Sequence, residues 1–175
     1  MADFNIAFQW MIHNEDSTLA CAVVPDPCPK NVAGPCYAIS GINSGAWSAD
    51  FAKIAALPQA NRLQAVQAFY QANYWNTWLA QIDSDELAKR VFDFAVNAGS
   101  GTSVKTLQTA INSLGGTLTV DGGWGPKTVA AANAADPVQL VAAFTAARVA
   151  YYQALAAPGT EDASYVHAWL GRAEA

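Results

Sequence analysis

Between Asp83 and Gly99 the chain is apolar on nearly every side, and this stretch limits the fold more than any other. At 3.6 residues per turn Leu87, Val91, Phe92, Phe94, Ala95 and Val96 cannot share one stripe, so the segment reads as a helix enclosed by other elements. Asp83 with Glu86 three residues on has capping-box spacing for its start, and Gly99 can take the left-handed turn that ends it. Within this oily segment Asp93 and Asn97 lie one turn apart on the same face. A buried carboxylate is costly unless hydrogen-bonded or paired, so the two are expected to face a polar network or the floor of a cleft. Arg148, in an Ala-rich helix, needs a buried acid, and Asp93 is the natural partner.

The rest of the chain can supply the enclosure. Its 175 residues suffice for one well-packed domain, and 53% hydrophobic against 13% charged residues implies a large core. A formal charge of -5 without any Lys/Arg run argues against nucleic acid or an anionic membrane as partner. An uncharged polymer fits better. There is no basic n-region at the N-terminus and no apolar run near the roughly 20 residues that span a bilayer, so neither a signal peptide nor an anchor is expected.

In chain order, Asp3 can cap a helix running to about Asn14, with Phe4, Ala7, Phe8, Met11 and Ile12 on its buried side. From Ser17 to Asn43 periodicity disappears among prolines and glycines, leaving a long loop or small hairpin in which Ala20–Val24 and Cys36–Ile39 can form short strands. Cys21, Cys28 and Cys36, the only cysteines, all fall in this loop. A zinc site would want a fourth ligand and paired Cys-x-x-Cys spacing, whereas only His13 is near. A lone reactive cysteine with His13 or His167 is a further alternative. One disulfide with a thiol left over is the preferred reading, with Cys28 and Cys36 as candidates, although spacing does not settle the connectivity.

Further helices are expected over Ser48–Ala56, Ala60–Trp78, Val104–Leu114, Pro126–Ala134 and Pro137–Ala156. A last one runs from Glu161 or Asp162 to Arg172, with Tyr165, Val166, Trp169 and Leu170 inward and His167 on the surface. Between them, Val120-Asp121-Gly122-Gly123-Trp124-Gly125-Pro126 is a compact turn in which the carboxylate accepts backbone N–H groups.

Several runs carry a family resemblance. Phe92-Asp93-Phe94-Ala95-Val96-Asn97-Ala98-Gly99, Leu107-Gln108-Thr109-Ala110-Ile111-Asn112, the Asp121 turn, Arg148 with Tyr151-Tyr152, and Ala168-Trp169-Leu170-Gly171-Arg172 resemble the C-terminal half of the glycoside hydrolase family 108 N-acetylmuramidases. That half is described as a predicted peptidoglycan-binding module. The first helix followed by Asn14-Glu15-Asp16-Ser17 resembles the family's helix leading into His-Glu-Gly-Gly, which places Glu15 on the catalytic glutamate while the histidine and both glycines differ. Gly34-Pro35-Cys36-Tyr37-Ala38-Ile39-Ser40-Gly41-Ile42 resembles the family's Gly-Gly-x-Thr-x-Tyr-Gly-Ile, with Ala38 for the threonine and Ser40 for the tyrosine.

The resemblance implies a mainly α, lysozyme-like helical fold with a long irregular loop or small β-hairpin after the first helix. Residues 1–80 would form a muramidase-like half and 81–175 a peptidoglycan-binding half, packed as one compact body. It implies hydrolysis of the β-1,4 bond between N-acetylmuramic acid and N-acetylglucosamine. Such cleavage needs an acid to protonate the leaving oxygen and a second group to activate water or stabilise the oxocarbenium-like transition state. Glu15 is placed for the first role. Asp26 in the Pro-flanked loop is the candidate for the second, with Asp16 as the other counterpart of the family's loop carboxylate. Tyr37, Trp75, Asp93, Asn97 and Trp124 are the candidate substrate-binding residues, the aromatic ones as platforms for a sugar ring. No cofactor and no metal are expected. The partner is the peptidoglycan glycan strand, without nucleic acid or membrane insertion, and the chain is expected to be a monomer acting in the periplasm or cell wall, reached through a phage lysis pore or a dedicated secretion system. The alternatives are a peptidoglycan-binding protein that has lost catalysis, and a secretion-associated interaction protein.

Overall fold

The computed structural model describes residues 1–155 and 170–173. Its elements run α1 (Phe4–Glu15), β1 (Val24–Asp26), β2 (Cys36–Ile39), β3 (Ile42–Asn43), α2 (Ser48–Ala55), α3 (Arg62–Tyr74), α4 (Asp85–Ala98), α5 (Ser100–Ser113), α6 (Pro126–Ala134) and α7 (Pro137–Leu155). The fold is mainly α with one small antiparallel sheet of order β1-β2-β3. Residues 170–173 are helical as well. The inward positions expected at Tyr165, Val166 and Trp169, and the surface position of His167, lie outside the described residues. No described helix is long and apolar enough to cross a membrane.

The chain divides into two compact units, one formed by Phe8–Trp75 and the other by Met1–Ala7 with Asn76–Ala175. In the first, the apolar side of α1 buries Phe8, Met11 and Ile12, the sheet buries Ile39 and Ile42, and α2 and α3 contribute Ile54, Val66, Phe69 and Tyr70. The three strands occupy the long irregular region, held by two devices. Cys28 and Cys36 form a disulfide with a Cα–Cα distance of 5.2 Å, leaving Cys21 as a buried free thiol. Ser40 and Gly41 join β2 to β3 with φ of 46° and 82°, the two positive angles that a two-residue hairpin turn needs.

In the second unit α4 is the enclosed helix: Leu87, Ala88 and every residue from Arg90 to Ala95 are buried, with α4 packed on α5 and α5 on α7. Phe92 and Phe94 are fully buried, each contributing about 1.5–3 kcal/mol through the apolar surface removed from water. The helix starts one residue later than Asp83 suggests. Ser84, not Asp83, is its N-cap and accepts from the Leu87 N–H at 3.2 Å, while Asp83 binds the N-terminal ammonium at 3.3 Å. The long helix expected over Ala60–Trp78 also stops early, at Tyr74. Trp75 is extended there, and Asn76 turns its side-chain oxygen onto the N–H groups of Trp78 and Leu79, competing with the helix for those donors.

Asp93 meets Arg148 as the sequence suggests, and Arg172 joins them. Arg148 Nη2 donates to Asp93 Oδ2 at 2.5 Å and Arg172 Nη2 to Oδ1 at 2.6 Å. Among the described residues Arg148 Nε and Nη1 have no hydrogen-bond partner. Its guanidinium lies instead over the rings of Phe94 and Tyr152, at 5.1 and 5.6 Å, which returns part of the lost hydration energy. Asp93 is 0% exposed and both of its carboxylate oxygens are held by arginines. Asn97, one turn on, is exposed and accepts from the Tyr152 hydroxyl at 2.8 Å.

Candidate functional site

At the end of α1, where the helix gives way to irregular chain, Glu15, Asp16, Thr18, Ala20, Ala22, Val24, Asp26, Ala38, Ser40 and Gly41 enclose a groove of about 370 Å3. The volume falls within the range of small-ligand sites, ~300–1,000 Å3. Strand alternation builds its wall. Val24 pairs with Ala38 and Asp26 with Cys36, so Val24, Asp26 and Ala38 face one way while Pro25 and its partner Tyr37 face the other. Tyr37 is accordingly exposed and does not line the groove.

Three carboxylates reach this groove, and their surroundings separate them. Asp16 accepts from the Cys21 N–H at 2.8 Å and the Ser40 hydroxyl at 2.9 Å through Oδ2, and from the Thr18 hydroxyl at 2.8 Å through Oδ1. Desolvation works to raise its pKa, but these bonds and that from the Ala20 N–H outweigh it and hold the carboxyl below its ordinary value. An aspartate bonded in this way serves as a fixed anion. It also stabilises a strained path, because Leu19, Cys21 and Ser40 all have positive φ without being glycine. Asp26 accepts from Asn43 Nδ2 at 2.5 Å, and the same amide donates to the Pro27 carbonyl at 2.8 Å, so β3 orients a carboxylate carried by β1.

Glu15, half-buried, is seated by the hairpin turn and the aromatic face of α3. A β-carbon at Gly41 would lie 2.5 Å from Glu15 Oε2 and 2.7 Å from the Tyr70 hydroxyl. Tyr70 donates to the Ser40 carbonyl at 2.8 Å, and the Ser40 side chain binds Asp16, so the turn is pinned from both sides. Tyr74 stands close enough to feel the Glu15 charge. Burial pushes its hydroxyl above the usual value, Glu15 pushes it further, and a hydrogen bond with Trp47 opposes both. Trp47 meets Phe69 edge-on at 5.0 Å, and Tyr70 and Tyr74 lie 5.9 Å apart, forming a rigid backing.

The structure thus brings Glu15, Asp16 and Asp26 into one groove and leaves Trp75 half-buried at the end of α3, outside its lining. Gly41, Asn43, Tyr70 and Tyr74 were missed as site residues. The local signal for Gly41 was the match of Gly41-Ile42 to the family's loop motif; the others carry no signal short of the fold. Trp124 lines a second groove, in the other unit, together with Asp121, whose Oδ1 accepts from the Gly123 N–H at 2.8 Å in the turn geometry expected for it.

Residues 37–99 match the family model described as Glycosyl hydrolase 108, and residues 102–174 match that described as Predicted Peptidoglycan domain. No curated protein matches the chain. Among solved structures, one of Brucella abortus SagA is similar over 98% of this chain and 93% of that chain, with a TM-score of 0.61 at 23% identity. That likeness shows a shared fold, mainly α and lysozyme-like.

Proposed function

We propose that this chain, which joins a glycosyl hydrolase 108 region to a predicted peptidoglycan domain, cleaves the β-1,4 bond between N-acetylmuramic acid and N-acetylglucosamine with Glu15 as general acid and Asp26 as the second carboxylate. The observation that carries the reading is the joint presence of Glu15 and Asp26 in the lining of one groove, each seated by groups from other elements. Glu15 protonates the leaving glycosidic oxygen. Asp26, oriented by Asn43, stabilises the positive charge that develops on the sugar or activates the water that attacks it. Asp16 holds the loop and takes no proton. In this scheme residues 1–80 carry the chemistry and 81–175 hold the wall, and the protein works outside the cytoplasm, where the Cys28–Cys36 disulfide suits an oxidising compartment.

The test is loss of turbidity and release of reducing ends from purified cell walls. Wild type is expected to lyse them, Glu15→Gln to lose at least about 100-fold and Asp26→Asn to lose a similar factor, as expected for removal of acid–base groups. Equal activity of Glu15→Gln and wild type would remove the assignment. A second reading, wall binding without hydrolysis, is favoured by one observation: the glycosyl hydrolase match begins at residue 37, after the helix that carries Glu15, where Asp16 and Ser17 replace the family's glycines. Under that reading wild type and Glu15→Gln are equally inert and both sediment with walls.

A further inference from the structure

The loop between α5 and α6 has no regular structure, yet two amides one turn apart on α5 clamp it from beneath. Gln108, 2% exposed, accepts from the Gly122 N–H at 3.0 Å and donates to Asp121 Oδ1 at 2.9 Å. Asn112 donates to the Leu118 carbonyl at 2.8 Å and accepts from the Leu118 N–H at 2.7 Å. Fixing a loop with side-chain hydrogen bonds from the helix beneath is how a surface is pre-organised, since the ordering entropy is lost at folding and not at binding. The clamped loop borders a groove of about 390 Å3, whose lining includes Thr117, Thr119, Asp121, Trp124 and Lys127. Trp124 lines this groove and is half-buried, whereas Phe94 of α4 and Phe144 of α7 are fully buried.

We infer that this groove is a second saccharide site, taking a neutral N-acetylhexosamine unit of the wall glycan with its apolar ring face on Trp124; the inference rests on the peptidoglycan reading above but not on hydrolysis. Two observations select a neutral sugar. Asp121 and Lys127 put one charge of each sign on the lining, so the groove holds no net charge to draw an ionic ligand. Hydroxyls at Thr117 and Thr119 with the Asp121 carboxylate present donors and acceptors beside a large amphipathic ring, the combination that suits a ring carrying hydroxyls on its edge and C–H groups on its face.

The experiment uses the full chain as Glu15→Gln, so that no turnover occurs. Chitotetraose titrated into 15N-labelled protein is expected to shift Gly122, Gly123 and the Trp124 indole N–H, and Trp124→Ala is expected to weaken co-sedimentation with purified sacculi about tenfold, equivalent to about 1.4 kcal/mol. Trp124→Tyr, which keeps an aromatic platform, should retain most of the binding and guards against a variant that misfolds. Unmoved resonances at these positions, shifts caused by the stem peptide and not by the saccharide, or sedimentation unchanged in folded Trp124→Ala would each overturn the proposal. Lysis lost in Glu15→Gln with sedimentation indifferent to Trp124 removes this site and leaves the enzyme; Trp124-dependent sedimentation without lysis by wild type removes the enzyme and leaves this site.

Discussion

Glu15 Oε2 occupies the space that a side chain on residue 41 would need: a β-carbon built on Gly41 falls 2.5 Å from it. With φ of 82° at Gly41, the carboxylate and the hairpin turn are complementary in both shape and backbone conformation. Gly41→Ala is therefore expected to displace the Glu15 carboxylate and to lower wall hydrolysis on the order of 100-fold, the scale of a misplacement near 1 Å. The strained φ should also reduce stability by about 1–2 kcal/mol. Turbidity assays beside thermal melts check both, and a variant that melts lower but lyses as wild type would show that Glu15 does not depend on the turn.

The buried triad of Asp93, Arg148 and Arg172 makes a prediction about stability alone. Asp93→Ala strands a guanidinium that is 1% exposed, and breaking a buried pair from one side is expected to destabilise by about 3–5 kcal/mol. Denaturant unfolding of the full chain measures it. Replacement of Asp93 with a loss below about 1 kcal/mol would mean that the two arginines find other partners.

Asp16 predicts an acid limb. Its native pKa lies below the unfolded value near 3.8, so the native state keeps the carboxylate charged where the unfolded chain already binds a proton. The stabilisation is complete above the unfolded value and disappears as pH falls through the lower native one. Melting temperature should drop between about pH 5 and about pH 2 by more in wild type than in Asp16→Asn. At neutral pH the substitution is expected to destabilise by about 1 kcal/mol, small because the side chain is partly exposed and its bonds compete with water.

Reduction of the Cys28–Cys36 bridge opens a loop of sequence separation 8, expected to remove about 2–3 kcal/mol. Asp26 is the strand partner of Cys36, so its orientation should suffer with the loop. Cys28→Ser with Cys36→Ser is expected to lower hydrolysis along with the melting temperature. Unaltered hydrolysis in the double variant, at a temperature where it remains folded, would show that Asn43 orients Asp26 without help from the bridge.

Much of this could be read from residue order. Helical periodicity identified the enclosed α4, the buried side of α1 and the short α2; Pro126 marked the start of α6; and Asp93 with Arg148 followed from the cost of burying either one alone. The boundaries that failed, at Asp83 and at Trp78, are places where two polar groups compete for the same backbone donors, and local pattern does not rank Ser84 above Asp83 or foresee Asn76.

The groove belongs to a different level. Ser17 to Asn43 carries no period long enough to place its side chains, so which way Asp26 and Tyr37 point is settled only by the pairing of Val24 with Ala38, since a slip of one residue would exchange their faces. Residue order alone was enough for the enclosed helix α4, the pairing of Asp93 with Arg148 and the Asp121 turn, because each depends on neighbours along the chain or on a charge that must be matched. That Gly41 makes room for Glu15, that Asn43 steers Asp26 and that Gln108 with Asn112 supports the Trp124 loop emerges from the folded chain, because these contacts join residues separated in sequence, and strand register and turn geometry, not composition, bring them together.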